Sequence, residues 1–145
     1  MKKNELETPI SDAVRLHGHL GPFLVIGVRM GTIANRIFAS CSTKKGTSQV
    51  TVRVPLRTPY SCVLDGIQST TKCTIGNQKL KVQDSPKEIT AQFRTQCSDE
   101  TLIISANPKI IRKIENEFSR GTTNEELAEK MASTPENQVF KLKKM

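Results

Sequence analysis

The chain contains two histidines, and both lie in one tripeptide, His17-Gly18-His19. Imidazole nitrogens ligate metals and exchange protons near neutral pH, so this pair could form a metal site or an acid–base site. Gly18 and Gly21 give the surrounding backbone the freedom to turn both rings toward one point. Taken alone, the tripeptide is also compatible with structural histidines or with a surface loop.

Two of the four cysteines strengthen the case for a metal. Cys62 and Cys73 lie in polar, loop-like surroundings, whereas Cys41 and Cys97 have no such neighbours. Imidazole and thiolate together are the usual ligands of zinc and of other borderline or soft metals. Asp65 follows Cys62 by three residues, and this spacing on a short helix places both side chains on one face. These residue types therefore indicate a His/Cys site with a neighbouring carboxylate.

The histidine tripeptide leads into the most apolar segment of the chain. Pro22 suits the first position of a helix, because it lacks the N–H that would be unpaired there. From Phe23 onward, apolar residues cover nearly the whole circumference, which predicts a buried helix. Arg29 and the shortness of the unbroken apolar run disfavour a membrane span, which needs about 20 residues. Small residues form a stripe along this helix against which a second backbone could pack, namely Gly27, Gly31 and Ala34.

The remaining patterns predict separate groups of helices and strands. Period-two alternation indicates strands at residues 50–54, 80–83, 88–94 and 101–105, of which we interpret the last three as an antiparallel meander. Local signals predict helices at residues 9–16, 62–68, 108–120 and after Thr123. This order favours an α+β fold. We expect a single compact domain, residues 1–145, in which a small, mostly antiparallel sheet packs with helices. Its core should span about residues 9–121, followed by a short helix and a basic tail at residues 122–145.

Composition narrows the classes of partner. The formal net charge is +8, from 22 basic and 14 acidic residues, but several of the lysines lie at the two ends and fit solvated tails. Aromatic residues make up 4% of the chain, which disfavours a nucleic-acid partner. The polar first eight residues and the scattered cysteines predict a cytoplasmic protein with reduced thiols. We also expect a homodimer and no membrane partner.

Several segments taken together resemble the family of the E subunit of formylmethanofuran dehydrogenase. They are His17-Gly-His19 with Pro22, the segment 27–31, Cys62-Val-Leu-Asp65-Gly-Ile67-Gln68 and Cys73-Thr-Ile-Gly76. The family motifs read His-Gly-His-x-Cys-Pro, then Cys-x-x-Asp-Ala-Ile-Gln, then Thr-Gly-Cys-Thr-x-Gly-Lys-Gly-Asn-Leu. The resemblance covers about residues 12–94. This chain departs from the pattern at Gly21, where the family has a cysteine, at Lys72, where it has a glycine, and over residues 76–80. It also lacks the four-cysteine zinc ribbon that many members append.

The resemblance implies an α+β domain in which the motifs meet in a cleft with a bound metal. Carried over to this chain, the metal ligands come from His17, His19, Cys62 and Cys73. Asp65 takes a catalytic role, either orienting a ligand imidazole or accepting a proton from water at the metal. The expected cofactor is a transition metal, zinc first, with nickel or iron as alternatives. With an open coordination position, the metal would bind a small molecule that the residues do not identify.

Two other interpretations of the same residues stay open. In the first, the protein is a metal-independent enzyme in which a histidine activates Cys62 or Cys73 as the nucleophile. In the second, it is a decayed family member that acts as a basic module for anions or nucleic acid. The leading interpretation is a small metal-binding domain, accessory to one-carbon or redox metabolism. The sequence alone leaves open whether it is an enzyme.

Overall fold

A computed structural model describes residues 3–40 and 46–145. Within these residues the helices are α1 (Glu7–His17), α2 (Pro22–Ile37), α3 (Cys62–Thr71), α4 (Pro108–Ser119), α5 (Asn124–Ser133) and α6 (Glu136–Val139). The strands are β1 (Gln49–Val54), β2 (Leu80–Asp84), β3 (Thr90–Arg94), β4 (Thr101–Ala106) and β5 (Phe140–Lys144). Two short 3-10 turns, Lys3–Leu6 and Phe38–Ser40, precede α1 and follow α2.

The described strands form a five-stranded sheet in the order β2-β1-β3-β4-β5. β1 and β2 run parallel, whereas the pairs β1–β3, β3–β4 and β4–β5 are antiparallel. Parallel neighbours need a crossover connection, and α3 provides it here. The mostly antiparallel sheet and its helices confirm the predicted α+β class.

The predicted meander is wrong for β2. Val52 in the centre of β1 pairs with Val82 of β2 on one side and with Ala91 of β3 on the other. β2 and β3 are therefore separated by β1, although they follow each other in sequence. Alternating hydrophobicity identifies a strand and its buried face, but it carries no information about which strand lies beside it.

One face of the sheet is buried in the core. Val50, Val52 and Val54 are fully buried, and the alternate residues of β1 are partly or fully exposed. The register places Phe93 beside Val50 and Leu102 beside Phe93, so that the apolar side chains of three strands meet on the same face. This alternation is the one that the sequence predicts for a half-buried sheet.

α2 is the central helix of the core, and it packs closely on α3. A methyl group added at Gly27 would lie 2.1 Å from the carbonyl oxygen of Val63, and one added at Gly31 would lie 1.8 Å from Oγ1 of Thr70. The predicted stripe of small residues is thus a helix–helix contact. The stretch Pro22–Ser40 is long and apolar enough to cross a membrane by length and composition, but 67% of its apolar window is buried inside the fold.

The C-terminal residues form structure where a basic tail was expected. Thr123 caps α5 by accepting a hydrogen bond from the N–H of Glu126, as the capping signal predicts. Ala106 pairs with Phe140, so β5 completes the sheet at the edge of β4. Buried side chains from this part of the chain join the core, including those of Leu127, Ala128, Met131, Val139 and Phe140.

Candidate metal centre

His17 and His19 are brought together by the way α1 ends. His17 is the last residue of α1, and Gly18 caps the helix in the left-handed conformation, with φ at 105°. Side chains disfavour this conformation, so the position requires glycine. The N–H of Gly18 donates to the carbonyl oxygen of Val14 at 2.7 Å. The chain therefore turns sharply, and the two imidazole centroids lie 4.5 Å apart.

Cys62 completes a cluster with the two histidines. It is the first residue of α3, and its residue exposure is only 8%. One ligand atom each from His17, His19 and Cys62 lies within 4.8 Å of the other two. The structure thus gathers three of the four predicted ligands, from two segments that are far apart in the chain.

The three donors fit a transition metal such as zinc. Bond lengths of about 2.0–2.3 Å in a tetrahedral site separate neighbouring ligand atoms by about 3.3–3.6 Å. A span of at most 4.8 Å closes to that spacing with a side-chain movement of about 1 Å, and His19 is exposed and free to rotate. Nε2 of His17 is buried and has no hydrogen-bond partner among the described residues. Such an orphaned nitrogen is costly unless something binds it.

Asp65 orients the imidazole of His17. Oδ2 of Asp65 lies 2.7 Å from Nδ1 of His17, and Oδ1 accepts a hydrogen bond from Nε2 of Gln68 at 3.1 Å. A carboxylate on one ring nitrogen leaves the other nitrogen available as a ligand, which is the usual arrangement behind a metal-binding histidine. Asp65 therefore has the position expected of an orienting residue.

The environment of Cys62 disfavours a free thiolate. Burial raises the pKa of the Cys62 thiol, and the negative charge of Asp65 raises it further. The start of a helix favours an anion, but here burial outweighs that effect. Cys62 in the metal-free protein is therefore a neutral thiol near pH 7, and it would become an anion only by binding a cation.

Cys73 does not join the cluster. Its Sγ contacts the carbonyl oxygen of Thr47 at 3.7 Å, and the residue is 1% exposed in the core. α3 separates Cys73 from Cys62, and a ten-residue helix is about 15 Å long. Burial also raises the pKa of the Cys73 thiol. The sequence placed both cysteines in loops, but only Cys62 lies beside the histidines.

The other two cysteines are remote from the cluster or undescribed. Cys97 is exposed after β3 and is disulfide-bonded, whereas Cys62 and Cys73 are free, so the expectation of reduced thiols throughout is wrong for Cys97. Cys41, which the sequence analysis set apart from the site, lies outside the described residues.

Comparison with known families follows the same motifs. The family model described as FmdE, molybdenum formylmethanofuran dehydrogenase operon, matches residues 16–145. The chain belongs to the FmdE family. The match begins one residue before His17 and includes every member of the cluster. It also extends through α5 and β5, well beyond the residues on which the motif resemblance rests.

A solved structure supports the FmdE fold. A crystal structure of an FmdE-like protein of tungsten formylmethanofuran dehydrogenase, from Syntrophus aciditrophicus, is 19% identical to this chain and superposes with a TM-score of 0.58. The alignment covers 99% of this chain and 71% of the other. At this identity the likeness concerns the fold. A search of curated protein sequences found no significant match.

The two departures from the FmdE motif have structural counterparts. Gly21 has extended backbone that any residue adopts, but a methyl group there would lie 3.0 Å from Oδ1 of Asn124 in α5. Asn124 thus borders the space that the family cysteine would enter. Lys72 caps α3 in the left-handed conformation with φ at 62°, which explains why the family motif has glycine at this position.

Gln68 is the residue that sequence reasoning did not assign. Its side chain joins Asp65 to the loop after α3, where its Oε1 accepts a hydrogen bond from the N–H of Ile75 at 3.2 Å. Two signals pointed to it. It follows Asp65 by three residues on a helix, and it is the glutamine of the family motif.

Proposed function

We propose that this protein binds one transition-metal ion, most readily zinc, through His17, His19 and Cys62. The observation that carries the proposal is the buried, unpartnered Nε2 of His17 within a cluster of three donors among the described residues. Two imidazoles and one thiol suit zinc, and nickel and iron accept the same ligand types. Cys73, in the core against Thr47, is not part of the proposed ligand set.

The residues of the chain divide the work at this site. His17 and Cys62 offer buried donors from rigid helix ends, and His19 offers an exposed donor that can close on the ion. Asp65 holds the ring of His17 in place. A bound ion with three protein ligands would keep one position open for a small molecule and would polarise it as a Lewis acid.

The metal-independent enzyme is the weaker candidate. A nucleophilic cysteine needs a lowered pKa or an adjacent base. Burial and Asp65 instead raise the pKa of Cys62, and Nδ1 of His17 is already engaged by that carboxylate. These conditions disfavour a thiolate, but they suit a thiol that exchanges its proton for a metal.

The family suggests a setting for the metal. FmdE is described by the operon of molybdenum formylmethanofuran dehydrogenase, and the similar crystal structure is of an FmdE-like protein of the tungsten enzyme. On this basis we place the protein in one-carbon or redox metabolism as an accessory metal-binding domain. A homodimer in the cytoplasm stays a prediction, and sedimentation equilibrium of the purified protein would test the dimer.

Metal titration of matched cysteine variants tests the proposal. Wild-type protein, after removal of metal, should take up about one equivalent of zinc. Cys62→Ser should lower the affinity at least about 100-fold, because the roughly 10–16 kcal/mol of a zinc site is shared among about four ligands. Cys73→Ser is the control, and we expect its zinc affinity to match the wild type.

Two results would contradict this assignment. Uptake of less than about 0.1 equivalent by wild-type protein, after reconstitution with zinc, nickel or iron in turn, would exclude a metal site of this chemistry. Equal loss of zinc in Cys62→Ser and Cys73→Ser would show that the cluster of His17, His19 and Cys62 is not the site. Circular dichroism of each variant separates loss of metal from loss of the fold.

A further inference from the structure

Four groups form a continuous hydrogen-bond chain behind His17. The backbone N–H of Ile75 donates to Oε1 of Gln68 at 3.2 Å, and Nε2 of Gln68 donates to Oδ1 of Asp65 at 3.1 Å. Oδ2 of Asp65 then meets Nδ1 of His17 at 2.7 Å. The chain ends at Nε2 of His17, which is buried and has no partner among the described residues.

The direction of every bond in this chain follows from its first member. A backbone N–H can only donate, so the amide oxygen of Gln68 must face Ile75 and its NH₂ group must face Asp65. An ionised carboxylate can only accept, so Nδ1 of His17 must carry the proton. In the neutral ring Nε2 then presents its lone pair toward the cluster, as a metal ligand must.

The loop that starts the chain is itself braced. Oδ1 of Asn77 accepts hydrogen bonds from the N–H groups of Thr74 and Lys79, both at 3.0 Å. Nδ2 of Asn77 donates to the carbonyl oxygen of Lys72 at 2.7 Å. The N–H of Ile75 lies inside this braced turn, so its direction is set independently of the histidines.

We propose that Gln68 is a positioning residue that selects the Nδ1–H tautomer of His17 and so presets Nε2 for the metal. The proposal rests on the metal-binding function proposed above. Without Gln68, Asp65 would be free to turn toward water, since its side chain is 35% exposed. His17 would then exchange between tautomers, and only one of them could bind the ion through Nε2.

Two substitutions separate the steps of this argument. Gln68→Met removes both hydrogen bonds at similar volume. Gln68→Glu keeps an acceptor for Ile75 but faces Asp65 with a second negative charge in place of a donor. Gln83→Met, at an exposed position on β2, is the matched control.

The tautomer is read first in the metal-free protein. Long-range ¹H–¹⁵N correlation spectra at about pH 8, where a histidine of ordinary pKa is neutral, distinguish Nδ1–H from Nε2–H. His19→Asn assigns the two rings. We expect one Nδ1–H tautomer for His17 in wild type and in Gln83→Met, and a mixture in both Gln68 variants. Zinc affinity should fall about 10-fold or more in those variants, the usual cost of losing an outer partner.

The results distinguish this proposal from the one on which it rests. An Nε2–H tautomer in wild type, or a tautomer and zinc affinity unchanged by both Gln68 variants, would overturn the role of Gln68 while zinc uptake still supports the site. If wild type takes up no metal, the proposed function fails, and so does the role of Gln68 in presetting a metal ligand. A mixed tautomer with lowered affinity in a folded Gln68→Glu protein supports the proposal.

Discussion

Single residues at the ends of α1 and α3 set the geometry of the site. Gly18 uses the left-handed conformation without strain, whereas Lys72 adopts the same conformation with a side chain. A left-handed conformation costs a residue with a Cβ atom about 1–2 kcal/mol. The family motif has glycine at the position of Lys72, so this chain retains the turn but not the residue best suited to it.

Lys72→Gly should therefore stabilise the protein. Relief of the left-handed strain exceeds the extra chain entropy of glycine, and we expect a gain of about 0.5–1 kcal/mol in the free energy of unfolding. Urea denaturation measures it. Lys79→Gly is the control, because Lys79 is exposed and is not among the described residues with positive φ. A loss of stability in Lys72→Gly would show that the backbone strain is negligible.

At the scale of elements, the α2–α3 contact holds Cys62 beside the loop that carries the histidines. Gly27 and Gly31 on α2 and Gly66 on α3 let the two helices approach so closely that any added methyl would overlap the opposite helix. At Gly66 the overlap would be with backbone atoms of α2, at 2.5 Å from the carbonyl oxygen of Leu24. Backbone cannot yield as a side chain can, so this contact tolerates no larger residue.

Gly27→Ala tests this contact. Inside a helix alanine is ordinarily better than glycine by about 1 kcal/mol, yet here we expect a loss of at least about 1–3 kcal/mol from overpacking against Val63. Thermal unfolding measures the change. The best control is Gly76→Ala, because a methyl there meets only Oγ1 of Thr74 at 3.8 Å, whereas Gly46 has φ at 64° and adds strain of its own. A stabilised Gly27→Ala protein would disprove the close contact.

For the whole molecule, Arg29 ties the central helix to the C-terminal part of the chain. It is 3% exposed, and its Nη1 donates to the carbonyl oxygens of Met131 and Thr134, both at 2.6 Å, at the end of α5. Burial lowers the pKa of Arg29, and the charge of Glu136 opposes this shift. The sequence identified Arg29 only as an obstacle to a membrane span, but it caps a helix about a hundred residues away.

Arg29→Met should destabilise the fold far more than Arg36→Met. Two carbonyl oxygens would lose their charged partner inside the protein, at about 1–3 kcal/mol each. Arg36, on the same helix, makes a half-exposed ion pair with Glu136 at 3.2 Å, and such pairs contribute about 0–1 kcal/mol. Denaturation of both variants in urea compares them, and equal losses would show that the buried hydrogen bonds contribute nothing special.

Local patterns in the sequence determined the elements and half of the site. The alternation of Val50, Val52 and Val54 identified β1, and the capping signals at Asn107 and Thr123 identified the starts of α4 and α5. The spacing His17-Gly18-His19 indicated the paired imidazoles, because residues so near in sequence must be near in space. These features depend only on neighbours along the chain.

The tertiary structure decided which distant residues meet. It placed β2 beside β1, brought Cys62 to the histidines, left Cys73 in the core and joined Gln68 to Asp65. Cys62 and Cys73 have similar surroundings in sequence, and only the length and direction of α3 separates them. Such choices depend on how helices pack across the core, which no local pattern of residues encodes.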